Sequence, residues 1–295
     1  FRNYALRMNM PGTRFRFVHN HLEEMGRVGK GGSAINGARM IDSLIGWNTV
    51  RRCGVDAGDW AIYVSGGGAR NLQIVGNTIR DCAAGIKDLG DGSDRKILIA
   101  RNVIEGITRG RSIALGGCRD VMVTGNMITM GNGGAGIGTE TTVHHVVISN
   151  NIIDMNGRGR QGGSGIGIAS DDSSFVTING NQVFGGHPDS VCLHVATVQH
   201  GVISNNLLRV SKGRVNGGDG VGLADGVGRA GCVDAVARGG GPEGGAERPP
   251  DRQIRAGAAE AGHDLCGRGA DLRVDGVDRG REAGQVRLIR LGIDR

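Results

Sequence analysis

The sequence predicts an all-β fold in which the chain winds into about eight stacked coils, and three observations lead to this prediction. A short motif recurs: an apolar residue, two spacers, an asparagine, one spacer and a second apolar residue, as in the segment 148–153. The motif repeats at steps of 24 to 30 residues, with asparagines at positions 20, 48, 77, 102, 126, 151, 181 and 206. The surrounding residues are largely β-branched and show no helical spacing, a combination typical of a solenoid of stacked coils.

A second marker fixes the order of elements within each coil. Short apolar strands lie between successive asparagines, centred on Leu6, Ile35, Ile62, Ile86, Ile113, Ile137, Ile168 and Leu193. The distance from each strand centre to the next asparagine is nearly constant at 13 to 16 residues. The return segment, from each asparagine to the next strand centre, varies from 9 to 17 residues. We therefore expect insertions in the return loop. Asparagine suits the turn because it tolerates left-handed backbone and because its amide can bond to the copies above and below.

These repeats resemble the right-handed parallel β-helix of the pectin-lyase-like superfamily, over roughly residues 4 to 210. That fold serves lyases, hydrolases, epimerases, tailspikes and adhesins, so the resemblance is informative about fold rather than activity. It implies a secreted or cell-envelope protein that binds a polysaccharide and modifies it, by glycosidic cleavage or by β-elimination. The alternative is a non-catalytic β-helix that serves as an adhesin, tailspike or surface spacer.

Composition narrows the classes of partner. The net charge of +6 is spread along the chain with no basic run, and aromatic residues make up 3%, which argues against nucleic-acid binding. No apolar stretch approaches the ~18 residues of a membrane span. The first strand is already in register a few residues after Phe1, so we expect residues 1–212 to form a parallel β-helix that lacks its N-terminal part. The oligomeric state is left open.

Residues 213–295 differ in character from the repeats. From Gly217 to Arg295 there is no Asn, Ser, Thr, Lys, Met or aromatic residue, and glycine, alanine and arginine are abundant. We predict a poorly ordered, low-complexity tail. Either it is an out-of-frame reading of GC-rich DNA, or it is a genuine extension.

Two further patterns carry expectations of their own. Cys53 and Cys82 each follow a ladder asparagine by five residues, so they should stack on adjacent coils; a pair of thiols is favoured over a disulfide. The segment from Lys87 to Asp94 is acidic and glycine-rich, which suits either a Ca²⁺ loop or a plain turn. The plain turn is favoured because the spacing of an EF-hand is missing.

Strict alternation about the strand centres predicts the outward face of the first strand of each coil. The column just before the centres contains only small residues, which would form the floor of a groove: Ala5, Ala34, Ala61, Gly85, Ser112, Gly136, Gly167 and Cys192. Small residues let a flat ligand such as a sugar approach the backbone. They would equally let surface loops pack down.

The candidate catalytic residues are Glu140, Asp171, Asp172 and His194. Glu140 and Asp171 fall in one predicted column on adjacent coils, about 5 Å apart, where one carboxyl could hold a proton as general acid. The same pair could instead hold a Ca²⁺ ion that bridges a uronate. The order of these residues is similar to that in polygalacturonases, but His194 lacks the flanking glycines and no Arg-Ile-Lys follows.

The candidate substrate-binding residues are Tyr63, Lys87, Arg158 and Arg160. Tyr63 and Lys87 could serve as acid and base in β-elimination, a pairing similar to that of some alginate-type lyases. They are predicted to lie two to three coils from Glu140. Arg158 and Arg160 lie in the long loop 154–165, which would either grip an anionic sugar or form a solvated excursion. For each candidate residue a solvated surface position is the competing interpretation.

Overall fold

The computed structural model describes residues 4–8, 11–26, 32–132, 134–155, 163–168, 172–186, 190–196, 198–209, 214–217 and 231–237. For the last two ranges, and for residues 89 and 91, it describes the backbone alone. Every regular element in these ranges is a β-strand. The strands are β1 (Leu6–Met8), β2 (Gly12–Thr13), β3 (Arg16–Val18), β4 (His21–Glu23), β5 (Ile35–Ala38), β6 (Met40–Ile41), β7 (Leu44–Gly46), β8 (Thr49–Arg51), β9 (Trp60–Ser65), β10 (Arg70–Val75), β11 (Thr78–Arg80), β12 (Ala84–Ala100), β13 (Val103–Glu105), β14 (Arg111–Thr124), β15 (Met127–Thr129), β16 (Ala135–Thr139), β17 (His144–Ser149), β18 (Ile152–Asp154), β19 (Ser164–Ile168), β20 (Ser173–Asn179), β21 (Gln182–Phe184), β22 (Val191–Val195), β23 (Val198–Arg209), β24 (Arg214–Gly217) and β25 (Gly231–Ala237).

The strands pair in parallel from each coil to the next, which confirms the predicted solenoid. Three stacks run along the axis. The first contains β1, β5, β9, the first parts of β12 and β14, and then the whole of β16, β19, β22 and β24. The second contains β3, β7, β10, the later parts of β12 and β14, β17, β20 and β23. The third contains β4, β8, β11, β13, β15, β18, β21 and the end of β23.

The register of the first stack agrees with the sequence prediction at all but one coil. Ile62 pairs with Ile86, which pairs with Ile113 and so on to Ile137. The next partner is Ile166, not the predicted Ile168. Both isoleucines are buried on the same face of β19, so apolar alternation alone could not separate them.

An asparagine ladder joins the coils and confirms the repeat. Each ladder asparagine donates its backbone N–H and its Nδ2 to the Oδ1 of the next, as Asn102 does to Asn126 at 3.0 Å for both bonds. This row of hydrogen bonds continues without a break from Asn20 to Asn206. One detail of the prediction was wrong: the positive φ belongs to the residue before each asparagine, for example Asn150 at 53°.

The interior is a continuous apolar core. Isoleucines from all three stacks are fully buried and pack together along the axis. Cys53 and Cys82 lie in this core as free thiols on adjacent coils, and the Cys53 N–H donates to the Cys82 Sγ at 3.4 Å. Their predicted stacking is therefore confirmed.

The acidic segment 87–94 is not the surface loop or turn that the sequence predicted. It lies within β12, where Leu89 pairs with Gly116 and Asp94 pairs with Cys118. Residues 90–93 are thus an insertion opposite the single residue Gly117. Asp88 and Asp94 are buried in the core rather than exposed to bind a solvent cation.

Two short strands are described beyond residue 212. Strand β24 pairs in parallel with β22, His194 facing Asn216. Strand β25 pairs antiparallel with β23. The rest of the predicted tail lies outside the described residues, so its low-complexity character stays a prediction.

Candidate functional site

The outward face of the first stack is formed by other residues than strict alternation predicted. Ala61 and Cys192, from the column of small residues, lie in the apolar core, so the predicted outward floor is wrong. Trp60 instead packs outside this core against Ala84 and Ala114, with Tyr63 beside them. The chain therefore bends between Trp60 and Ile62, so that the second residue before each centre and the residue after it face outward.

A charged cluster spans three coils on this face. The Lys87 Nζ lies 2.6 Å from one Glu140 carboxylate oxygen, and the Arg111 Nη1 lies 3.0 Å from the other. Lys87 is two coils away from Glu140, within the predicted separation of two to three coils. Its long side chain bridges that distance because the positions between them, Ala114 and Gly138, hold small residues.

Gly138 is needed for this arrangement. A Cβ at that position would lie 2.9 Å from the Arg111 Nε and 3.0 Å from its Cδ. Arg111 therefore lies flat across the glycine on its way to Glu140. A side chain at residue 138 would force the Arg111 side chain to shift.

Aromatic residues support the other end of the cluster. The Lys87 ammonium lies 5.2 Å from the centre of the Trp60 ring and 5.6 Å from that of Tyr63, both within the range of cation–π attraction. Burial raises the pKa of Tyr63, and the negative charge of Glu140 raises it further. Tyr63 therefore remains a protonated hydrogen-bond donor at neutral pH.

Two members of the cluster, Arg111 and Glu140, line a cavity of about 390 Å³. Its wall includes Trp60, Arg109, Arg111 and Glu140, and it extends over Gly138 and Gly167 to Ser164 and His194. Ala114, Gly138 and Gly167 occupy one column on successive coils, which His194 continues, so a short floor of small residues exists one column away from where it was predicted. We call this feature the groove.

The groove is positively charged. Among the described residues that line it, two arginines face a single carboxylate, and Lys87 adds a third cation at its edge. Lys87 and Glu140 are largely shielded, with side chains 14% and 23% exposed, so their interaction is screened less than that of a surface pair. An anionic ligand is favoured here.

The predicted site residues are only partly brought together. Glu140, Lys87, Tyr63 and His194 lie in or beside the groove. Asp172 is exposed, has a φ of 63° and does not line it. Asp171, Arg158 and Arg160 lie outside the described residues. The sequence register that set Asp171 beside Glu140 assumed Ile168 opposite Ile137, whereas the structure pairs Ile137 with Ile166.

Comparison with protein families identifies the architecture. A family model described as right handed beta helix region matches residues 45–208, which are 164 of the 295 residues. The chain belongs to the right-handed β-helix family. No curated protein matches this β-helix sequence.

One similar solved structure is described as the crystal structure of DFA-IIIase from Arthrobacter chlorophenolicus A6 in complex with GF2. The two chains are 16% identical, with a TM-score of 0.42, over 73% of this β-helix chain. The match spans 59% of the length of the other chain.

Sequence reasoning missed three residues of this β-helix groove: Trp60, Arg109 and Arg111. The assumption of strict alternation excluded Trp60 and Arg111, which lie two residues before their strand centres. A signal was present, because Trp60 is one of only two tryptophans in the chain.

Over the described residues, no His, Cys, Asp and Glu side chains form a group of three that could hold a metal ion. In the same residues, no helical segment has the length and apolar character of a membrane crossing.

Proposed function

We propose that this β-helix binds an anionic polysaccharide in the groove and cleaves it by β-elimination. The observation that carries the proposal is the cluster of Lys87, Glu140 and Arg111 in a groove where cations outnumber the single described carboxylate. A uronate polymer has the matching charge and an extended shape that can follow the axis. A substrate of this class fits the part of the proposal that sets the protein outside the cell or in the cell envelope.

Residues in and beside the groove can carry out the separate steps of a β-elimination. Arg111 and Arg109 bind the uronate carboxylate, which makes the neighbouring C–H proton easier to remove. Lys87 first passes its ammonium proton to the Glu140 carboxylate, whose oxygen lies 2.6 Å from the Lys87 Nζ. The resulting amine then takes the C–H proton, and the C–H electron pair becomes the new carbon–carbon double bond. The glycosidic C–O bond breaks, and Tyr63 protonates the departing oxygen. No water is consumed.

Inverting hydrolysis fits the described residues less well. It requires two carboxyl groups about 6.5–9.5 Å apart, one to protonate the leaving oxygen and one to activate water. In the described part of the groove only Glu140 is available, and both of its oxygens already accept hydrogen bonds from cationic groups. Hydrolysis would therefore depend on Asp171.

A non-catalytic role is the second candidate, and the same cluster favours it in one respect. Lys87 and Arg111 satisfy Glu140 within the protein, so the three side chains could act only as a tie across three coils. In that case the protein is an adhesin, tailspike or spacer. Its groove would then bind a glycan without cutting it.

The experiment is a screen on uronate polymers and neutral polysaccharides, with and without a chelator. Elimination gives an unsaturated product with a new ultraviolet absorbance, whereas hydrolysis gives new reducing ends without it. We expect Lys87→Ala to abolish the absorbance and Arg101→Ala, a change at an exposed cation elsewhere, to leave it intact. Reducing ends alone would show hydrolysis, and binding with no cleavage would show the non-catalytic role. No binding to any polymer would refute both proposals.

A further inference from the structure

Three arginines form a column on the second stack of strands. Arg70 of β10 pairs in register with Arg95 of β12, and Arg95 pairs with Arg119 of β14. Neighbouring strands lie about 4.8 Å apart, so this arginine column places one cationic side chain on each of three successive coils. Arg70 and Arg95 are exposed, and Arg119 is half-buried. Lys96, exposed beside Arg95, adds a fourth cation.

The arginine column forms no ion pair with a described carboxylate, unlike several arginines elsewhere on the surface. Arg80 pairs with Glu105 of the next coil at 2.9 Å, and Arg52 pairs with Glu23 of the previous coil. Like charges that face each other directly in a sheet destabilise it. A bound anion would offset the repulsion within the column.

The exposed carboxylates beside the column bond to other side chains. The Asp120 Oδ1 lies 3.2 Å from the His145 Nδ1, and the Asp42 Oδ1 accepts a hydrogen bond from the Asn71 Nδ2 at 2.8 Å. Asp94, which precedes the middle arginine in the chain, is buried in the core. The described carboxylates therefore leave the surface of the column positively charged.

The column runs beside the groove without lining it. Arg95 follows Lys87 on β12, and Arg119 follows Arg111 on β14. Both strands pass from the first stack into the second between these residues. A ligand on the column would therefore lie on the next face of the solenoid, parallel to a ligand in the groove.

A linear polymer with widely spaced negative charges fits this column. A polyuronate carries one carboxylate on each sugar, so a whole sugar unit separates its charges, much as a coil separates the arginines, and a guanidinium can bind a carboxylate through two parallel hydrogen bonds. A DNA duplex instead carries one charge per about 1.7 Å of its axis. Single strands are bound by stacking of bases on aromatic rings. Phe175, an exposed ring farther along the same edge, already packs between His145 and His200.

We propose that the arginine column is a second binding surface for an anionic polysaccharide, which lies on it along the solenoid axis and outside the groove. The choice of a uronate polymer rests on the proposed function, whereas the presence of an anion-binding surface rests on the column alone. The column keeps the polymer close to the groove and takes no part in bond cleavage.

The test measures the binding of polygalacturonate to the full chain with the change Lys87→Ala, which should leave the polymer uncut. The column variant adds three substitutions: Arg70→Ala, Arg95→Ala and Arg119→Ala. The control variant removes the same charge at exposed arginines away from the column: Arg16→Ala, Arg101→Ala and Arg209→Ala. We expect the column variant to bind roughly tenfold more weakly than the parent, with a shallower dependence on salt, because fewer counterions are released. The control variant should bind like the parent.

Kinetics with Lys87 intact give a second measurement. The three column substitutions should raise KM for polygalacturonate and leave kcat unchanged, because they weaken binding without touching the reacting groups. For a galacturonate trimer, which we expect to occupy only the groove, both constants should match those of the unchanged protein. A fall in kcat on the trimer would show that the column acts on the groove, which would overturn the proposal.

The binding outcomes separate this proposal from the proposed function. Equal affinity of the column and control variants would overturn the proposal even if the polymer is cut. Weaker binding confined to the column variant would support it even if the unchanged protein cuts nothing. No binding of polygalacturonate by the unchanged protein would overturn both. Tighter binding of an oligo-dT strand, lost in the column variant, would overturn the assignment to a polysaccharide.

Circular dichroism checks that the column variant is folded. We expect its thermal midpoint at low salt to equal or exceed that of the parent, because repulsion within the column is removed. If the alanine variant does not fold, glutamine at the same three positions replaces it, since glutamine removes the charge and keeps part of the aliphatic stem that packs on the surface. The same loss of affinity is then expected, and an affinity equal to that of the parent would overturn the proposal.

Discussion

Asn126→Ala removes one member from the middle of the asparagine ladder. The Asn126 Nδ2 donates to the Asn151 Oδ1 at 2.9 Å and to the Ile99 carbonyl at 3.0 Å. Its Oδ1 accepts from both the N–H and the Nδ2 of Asn102. Alanine leaves these two Asn102 donors without an acceptor in a place that water does not reach. Each buried unsatisfied donor costs about 1–3 kcal/mol, so the variant should lose roughly 2–6 kcal/mol of its free energy of unfolding.

Urea unfolding followed by circular dichroism measures this loss. Asn20→Ala is the matched control, because Asn20 starts the ladder and its Oδ1 accepts no hydrogen bond from the described residues. That change should cost only about 1 kcal/mol, since it orphans no buried donor. Equal losses for the two variants would refute the argument, because they would show that the position of an asparagine in the ladder does not matter. An unchanged midpoint for Asn126→Ala would contradict the ladder itself.

Three further predictions concern packing and the groove. Gly85→Ala should lower the free energy of unfolding by about 1–3 kcal/mol or more, because its Cβ would clash with a backbone carbonyl of the next coil. Gly58→Ala is the control, since its Cβ would enter open space and should change the free energy of unfolding by less than about 0.5 kcal/mol. Chemical denaturation compares the two. Glu140→Gln should abolish turnover and leave the melting temperature within a few degrees; full activity of this variant would place the site elsewhere. The same change should lower the pKa of Tyr63 towards its ordinary value without reaching it, because burial is the larger cause of the shift. An absorbance titration in a Tyr4→Phe background, which leaves one tyrosine, would detect this, and an unchanged value would show that the Glu140 charge does not act on Tyr63.

The sequence by itself determined the solenoid. The asparagine spacing and the apolar strand centres are repeated locally in every coil, and a repeat whose members bond to their own copies needs no other contact to define its stacking. That register also predicts Glu140, Lys87, Tyr63 and His194 on the outward face, with Tyr63 and Lys87 two to three coils from Glu140.

The tertiary structure decided which residues make the groove. Alternation does not reveal the bend that turns Ala61 inward and Trp60 outward, since both choices keep Ile62 in the core. Nor does it choose between Ile166 and Ile168, which lie on the same face of one strand. The contact of Lys87 with Glu140 depends on the reach of one long side chain across two coils. Likewise, the composition of the acidic segment favoured a surface turn, but the pairing of its strand placed Asp88 in the core. Each of these outcomes depends on which residues of neighbouring coils pair, and that pairing is not encoded in any single repeat.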